Sequence, residues 1–209
     1  MPPVTETRVP YFFARPAADP PWPGVVVCLE GFGVDQWLLR VCERLAAEGF
    51  AAMAPDMYFR FGGSDRNAGR NHIMALTKED ALGDVAECVA ELRSLGASKV
   101  GVTGFCMGGR ITYQYATSGA DVDAAVGFYG AQIGSMLAEP TCPLFLFFGG
   151  DDDYIPPQEL KKIEERHAPN VLVYPDAHHG FMHAANDVDA AAAEDAWPKL
   201  LDFFGEHLR

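Results

Sequence analysis

Lys99-Val100-Gly101-Val102-Thr103-Gly104-Phe105-Cys106-Met107-Gly108-Gly109 is the stretch whose reading decides the fold. A short apolar run rich in valine reads as a strand, the glycines as a sharp turn, and residues 106 to 117 as the helix that follows. Cys106 stands at the bend. Small residues two before and two after it let strand and helix approach closely, and the helix N-terminus presents positive partial charge that favours a thiolate. A lone cysteine is ordinarily a small buried hydrophobe. Inside this glycine frame Cys106 reads instead as a nucleophile on a strand-to-helix elbow, with cysteine where serine is usual.

The same alternation runs outward in both directions. Val25 to Leu29 is a continuous apolar run of the kind found in a parallel sheet with both faces covered, and Gly31 to Gly33 ends it. A helix over 35 to 48 follows, with Leu38, Val41, Cys42 and Leu45 at helical spacing and Gly49 at its end. Val9 to Ala14 is a possible first strand, and Ala51 to Ala54 another, stopped by Pro55. Phe59 to Asn71 carries three glycines and three arginines without periodicity and reads as a loop. Thr77-Lys78-Glu79-Asp80 resembles a capping box with Asp in place of Glu, opening a helix that Gly96 closes. Ala124 to Phe128, Pro143 to Phe148 and Val171 to Tyr174 complete the strands. Helices are expected near 157 to 167 and from Asp187 onward, where Pro198 predicts a kink or restart. Strands alternating with helices imply an α/β chain with an open, mostly parallel sheet covered on both faces. With no repeat or linker, residues 1–209 read as one domain.

Composition narrows the function. The chain has 209 residues, 49% of them hydrophobic, and a formal net charge of −13. That charge repels phosphate backbones and anionic membrane surfaces, so nucleic acid is an unexpected partner. No apolar run approaches the roughly 18 residues that span a bilayer. Residues 1–7 lack the basic and apolar regions of a secretory signal, so the expected location is the cytoplasm. The five cysteines are scattered and odd in number, without a Cys-x-x-Cys pair, so no disulfide framework is implied.

In sheets of this kind ligands bind beyond the carboxyl ends of the strands. After Phe148 comes Gly149-Gly150-Asp151-Asp152-Asp153-Tyr154-Ile155-Pro156, and after Tyr174 comes Pro175-Asp176-Ala177-His178-His179-Gly180-Phe181. Nucleophile, acid and histidine thus each follow a separate strand in the order Cys, Asp, His, as a triad on this kind of sheet requires. The plainer alternatives are that the aspartates cap a helix or hold a cation, and that His178, His179 and His183 form a metal tract. No further ligand at characteristic spacing supports zinc, and neither metal nor cofactor is expected.

With these motifs the chain resembles the dienelactone hydrolases. The resemblance covers essentially the whole chain and rests on Glu30-Gly31-Phe32-Gly33-Val34, the Cys106 elbow, Gly150 to Pro156, and Ala177 to Phe181. It implies an α/β-hydrolase fold, three-layered αβα with a mostly parallel sheet and no separate lid domain. It places the nucleophile at Cys106, the acid at Asp152 and the base at His179, with Asp153 and His178 as adjacent rivals. It also puts Glu30 beside the thiol, to hold and activate it, and the oxyanion hole at the N–H groups of Gly31 and Met107. The implied activity is hydrolysis of an unsaturated lactone bearing a carboxylate. Where the family is expected to carry an arginine four residues after the histidine, this chain has His183.

Residue chemistry supports that reading. An unperturbed thiol titrates near about 8.5, so a base or a positive field must make it a thiolate at neutral pH. Glu30 alone would oppose one; His179, oriented by Asp152, can share the proton. Because a thiolate is itself a good leaving group, amides and ordinary alkyl esters tend to collapse backwards, whereas an enol lactone expels a stabilised enolate and goes forward to a thioester. A substrate carboxylate would need a local cation: Arg60, Arg66 and Arg70 lie in the loop after a strand, and a protonated His183 is a further candidate. The expected partner is a small-molecule lactone or ester, with the protein a monomer or homodimer. Two other classes fit less of the sequence: a glyoxalase-like Cys/Glu enzyme that would not need Asp152, and a non-catalytic hydrolase scaffold with Cys106 as a redox-sensitive thiol.

Overall fold

The computed structural model describes residues 9–64 and 69–209. Seven strands form one sheet: β1 (Tyr11–Ala14), β2 (Trp22–Cys28), β3 (Ala51–Pro55), β4 (Ala97–Phe105), β5 (Ala124–Phe128), β6 (Leu144–Gly149) and β7 (Val171–Tyr174). Their spatial order is β1-β3-β2-β4-β5-β6-β7. Only the β1–β3 pair is antiparallel. Consecutive Val25, Val26 and Val27 are all fully buried. Successive strand residues point to opposite faces, so both faces of β2 must be covered.

Six helices do the covering: α1 (Gln36–Ala47), α2 (Gly69–Ala75), α3 (Lys78–Ser94), α4 (Met107–Ala116), α5 (Pro157–His167) and α6 (Asp187–Leu208). α1 and α6 share one face, where the Arg44 guanidinium lies 3.8 Å over the Trp197 ring. α3 and α4 pack on the strands from the other. Asp35 caps α1, one oxygen accepting the N–H groups of Trp37 and Leu38 at 3.0 Å. Thr77 caps α3 by accepting the Asp80 N–H at 3.0 Å. Asp80 is a methylene shorter than the usual Glu, and its carboxylate accepts the Thr77 hydroxyl at 2.8 Å.

Several boundaries differ from the sequence reading; β2 begins at Trp22, three residues before the expected Val25, because Trp22 already pairs with Ala97 of β4. β4 extends beyond Lys99–Thr103 at both ends, because it pairs with β2 on one side and β5 on the other. Within the stretch expected to be loop, Phe59–Phe61 forms a 3-10 turn and α2 begins at Gly69. α6 runs through Pro198 without a restart. Proline there forfeits one intrahelical hydrogen bond, but Trp197, Leu200 and Phe204 are buried around it and hold the helix against the sheet. Among the described residues no separate lid domain interrupts the fold, and no helix is long and apolar enough to cross a membrane.

The topology fixes where a ligand can bind. From β2 the chain first builds outward to β3, then crosses back to place β4 on the opposite side of β2. At such a reversal the connections leave β2 and β4 in opposite directions, opening a crevice beyond their carboxyl ends. Glu30 follows β2 there and Cys106 follows β4. Beside it an aromatic ladder ties three neighbouring strands together: Phe105 stacks on Phe128 at 4.9 Å and Phe128 on Phe147 at 4.7 Å.

Close packing of the bend makes a stability prediction. A Cβ on Gly109 would overlap the Phe128 carbonyl oxygen, which is backbone and cannot move aside, whereas Gly83 in α3 faces open space. Gly109→Ala is expected to cost about 2–3 kcal/mol, and Gly83→Ala to stabilise by about 0.5–1 kcal/mol. Denaturant unfolding of both variants measures the contrast; equal stabilities would refute it.

Candidate active site

The elbow is strained. Cys106 has φ 55° and ψ −115°, a left-handed backbone conformation that costs a non-glycine residue about 1–3 kcal/mol. Its N–H donates to the Phe128 carbonyl of β5 at 3.1 Å, and its own carbonyl accepts the Arg110 N–H at 3.1 Å. Glycines make the bend possible: side chains on Gly104, Gly108 or Gly109 would collide with the backbone of Gly108, Cys28 or Phe128 respectively. The Cys106 side chain is thereby lifted out of the core and left half-buried at the head of α4.

Burial governs the other four thiols. Burial pushes Cys28 and Cys42 up to about 12 and Cys142 up to about 11, and raises Cys88 as well. They are protonated and unreactive near neutrality.

The tandem aspartates and histidines separate cleanly. Asp152 is buried, and its Oδ2 lies 2.8 Å from His179 Nδ1. The adjacent rivals are occupied elsewhere or exposed: His178 Nδ1 is 3.1 Å from Asp189 and its Nε2 is 3.5 Å from Asp151, while Asp153 is open to solvent. His183 Nε2 sits 2.7 Å from Glu30 Oε2. The three histidines therefore face three different carboxylates and do not converge, and among the described residues no cluster of His, Cys, Asp and Glu could hold a metal ion.

His179 carries the electrostatics of the site. Burial, the largest single influence, pushes its affinity for a proton down; the Asp152 carboxylate and then the Cys106 sulfur outweigh it and hold the imidazole at about 10. Its Nε2 is buried without a hydrogen-bond partner. The ring thus senses the sulfur without a fully formed hydrogen bond, a looseness ordinary in resting nucleophile–base pairs. Tyr129 packs edge-on against it at 5.1 Å from one side, and Tyr154 lies 4.6 Å away on another.

Glu30 is gripped at both oxygens. His183 takes Oε2, and the Tyr129 hydroxyl donates to Oε1 at 3.4 Å. Burial, followed by the nearby Glu30 and Cys106, raises Tyr129 well above the ordinary phenol range, so it stays a neutral donor. Behind His183 the Trp37 ring stacks at 4.1 Å, and the same indole meets Phe105 edge-on at 4.9 Å. The carboxylate expected beside the thiol is therefore engaged by His183 and Tyr129, and His183 does not present a free positive charge to the crevice.

Gly31 and Met107 carry the two amide groups expected to form an oxyanion hole. The Glu30 carbonyl accepts the Gly33 N–H at 3.0 Å, which fixes the plane of the Glu30–Gly31 peptide and so the opposite direction of the Gly31 N–H. Met107 is the first residue of α4, where an N–H has no intrahelical acceptor. The Tyr58 hydroxyl braces both neighbours, donating to the Gly31 carbonyl at 3.1 Å and lying 3.7 Å from Met107 Sδ.

The arginines fare differently. Arg60 is committed to buried Asp84 through two 2.8 Å hydrogen bonds, so its place in the loop does not make it a substrate ligand. Arg70 is exposed on α2, and Arg66 lies outside the described residues. The sequence reading missed Tyr129, Tyr58 and Trp37; Tyr129 and Tyr58 lie just past the carboxyl ends of β5 and β3, which is the signal that could have singled them out, while Trp37 stands in the first turn of α1 and carries no such signal.

Known proteins agree with this architecture. Residues 9–208 match the model of the dienelactone hydrolase family. An Escherichia coli K12 protein named "Putative carboxymethylenebutenolidase" is 31% identical, the match covering 96% of this chain and 83% of that one. The protein usf of Aquifex pyrophilus is 33% identical over 91% of this chain and 92% of its own. A crystal structure from Klebsiella pneumoniae, named "Putative Dienelactone Hydrolase", superposes with a TM-score of 0.83 at 28% identity, covering 95% of this chain and 93% of that one. The chain belongs to the dienelactone hydrolase family and is a hydrolase of the α/β-hydrolase fold.

Proposed function

We propose that this protein hydrolyses small lactones or activated esters, of the type that its carboxymethylenebutenolidase-named relatives suggest, through a thioester on Cys106. The observation that carries the reading is the buried His179–Asp152 pair, held at 2.8 Å with the second ring nitrogen unpartnered near a strained cysteine.

In the proposed reaction the proton shared by Cys106 and His179 rests on His179 Nε2, which holds it tightly, and the Cys106 sulfur attacks the ester carbonyl carbon as a thiolate. Negative charge moves to the carbonyl oxygen, where the N–H groups of Gly31 and Met107 receive it, each contributing roughly 3 kcal/mol if they act as other oxyanion donors do. The carbon–oxygen bond then breaks, and the departing enolate or aryloxide takes the proton from the His179 imidazolium. A water molecule next gives a proton to the neutral imidazole and attacks the thioester; the second tetrahedral adduct expels the thiolate and releases the acid. Asp152 keeps the imidazole in the tautomer that presents Nε2 to the sulfur. Glu30 would oppose the thiolate were its charge bare, so its pairing with His183 assists the nucleophile while the carboxylate stays poised at the mouth. Arg66 and Arg70 are the proposed ligands of a substrate carboxylate; His183 can serve that role only by releasing Glu30.

Cys106→Ala is expected to abolish hydrolysis of enol lactones and aryl acetates, and mass spectrometry of quenched wild-type enzyme should find an acyl group on Cys106. Full activity in the variant, or acylation elsewhere, refutes the mechanism. If Arg66 and Arg70 grip an anion, the double Arg66→Ala, Arg70→Ala variant loses any preference for carboxylate-bearing lactones over neutral ones. An unchanged preference removes both from the site.

The proton inventory sets a pH profile. Because His179 binds its proton more tightly than a free imidazole, up to about 10, the imidazolium that serves the leaving group persists through neutral pH and is lost as pH rises through that value. Wild-type kcat/KM for phenyl acetate is expected to fall on the alkaline side near there. Asp152→Asn removes the leading upward influence, so the fall should move to lower pH, with the rate reduced on the order of 10²-fold or more. An alkaline limb that does not move in this variant contradicts the assignment.

A further inference from the structure

Among the described residues Tyr154 is the one large aromatic side chain that is both strongly exposed, at 69%, and in contact with the His179 ring. A single exposed aromatic needs no explanation on most surfaces. This one is fixed in place. Its N–H donates to Asp152 Oδ1 at 2.8 Å, while the other oxygen of the same carboxylate holds His179. The next residue, Ile155, is buried and donates its N–H to the Asp152 carbonyl at 3.2 Å. One buried carboxylate therefore holds both the imidazole and the backbone from which the exposed ring projects against it.

That coupling has a chemical meaning under the mechanism proposed above, on which this inference rests. A general acid must lie within hydrogen-bond reach of the oxygen that it protonates, so the departing oxygen is adjacent to His179 Nε2. The group carried by that oxygen is then brought next to whatever flanks the imidazole. On the inner side the flank is buried Tyr129; on the exposed side it is Tyr154, 4.6 Å from the histidine centroid and with its surface open to a ligand. We infer that Tyr154 forms the wall of a leaving-group subsite, and that the enzyme prefers substrates whose departing oxygen is borne on a flat π-system, an aryloxide or enolate, over equally activated aliphatic ones. Offset or edge contacts between a departing ring and the phenol supply the discrimination. The acyl side of the substrate lies toward Gly31 and Met107 and does not meet this residue.

The test compares phenyl acetate with hexafluoroisopropyl acetate, two esters of similar leaving-group basicity that pass through the same acetyl-enzyme. The ratio of their kcat/KM values isolates recognition of the departing group. Wild type is expected to favour the aryl ester by roughly three- to tenfold. Tyr154→Phe keeps the ratio and Tyr154→Leu brings it toward one. Loss of shielding of His179 alone would slow both esters alike and leave the ratio untouched, so a purely structural role is distinguishable. The exposure of Tyr154 makes either variant compatible with folding, which thermal unfolding checks. A wild-type ratio near one with both esters cleaved, or a ratio that survives Tyr154→Leu, overturns the inference and leaves the hydrolase reading intact. Failure of wild type to form an acetyl-enzyme from either ester overturns both.

Discussion

The site depends on how closely the backbone of α4 approaches the carboxyl ends of β2 and β5. Three glycines permit it: Gly104 meets Gly108 across the bend, Gly108 sits on Cys28, and Gly109 sits on Phe128. The approach turns Cys106 into a left-handed conformation that an isolated peptide would leave, and the Phe128 carbonyl captures its N–H so that it cannot. From that contact follow the half-exposed sulfur and the close approach of the turn after β4 to the carboxyl end of β2. Packing of three central strands bears the local strain, and the aromatic ladder from Phe105 to Phe147 reinforces it.

Charge balance is the second constraint, and it is unusual for a chain of net charge −13. Two carboxylates, Glu30 and Asp152, lie near a cysteine that must lose a proton if it is to act as the proposed nucleophile. Left bare, both would hold the thiol protonated. Each is instead matched with one imidazole, Asp152 with His179 at 2.8 Å and Glu30 with His183 at 2.7 Å, and the neutral Tyr129 hydroxyl adds a donor to the second pair. Negative charge therefore orients the histidines without accumulating around the sulfur. The same matching accounts for the departure at His183: stacked on Trp37 and bound to Glu30, it partners the carboxylate where a fixed cation was expected, and it does so with a group that titrates.

Much of this was legible in the sequence because parallel sheets write their chemistry at strand ends. The apolar runs located every strand, and the loops after β2, β4, β6 and β7 carried Glu30, Cys106, Asp152 and His179 in an order that a triad can use. Choosing Asp152 over Asp153, and His179 over His178, needed the resemblance, since neighbours in a loop share every local signal; the coordinates separate them by burial and by the competing carboxylate of Asp189. What sequence could not supply were contacts between distant loops. Nothing near Arg60 announces that its charge is absorbed by Asp84 on α3, and nothing near Tyr129 announces that its ring and hydroxyl bridge His179 and Glu30. Boundaries failed where tertiary packing overrides propensity, as in α6, which passes Pro198 because buried Trp197 and Leu200 hold it to the sheet.

The proposed cysteine nucleophile, with no covering domain among the described residues, places a demand on the substrate that a serine would not. Return of the thiolate from the tetrahedral adduct competes with departure of the alcohol, so forward flux depends on how well the departing oxygen bears charge and on whether a proton waits for it. In the proposed mechanism Asp152 addresses both halves: it holds His179 protonated to high pH, and by accepting the Tyr154 N–H it anchors the backbone of the residue proposed to flank the departing group. On the proposed mechanism an open crevice with a carboxylate-anchored rim suffices for small activated esters, because discrimination is then made by the chemistry of the bond that breaks and not by enclosure of the whole molecule.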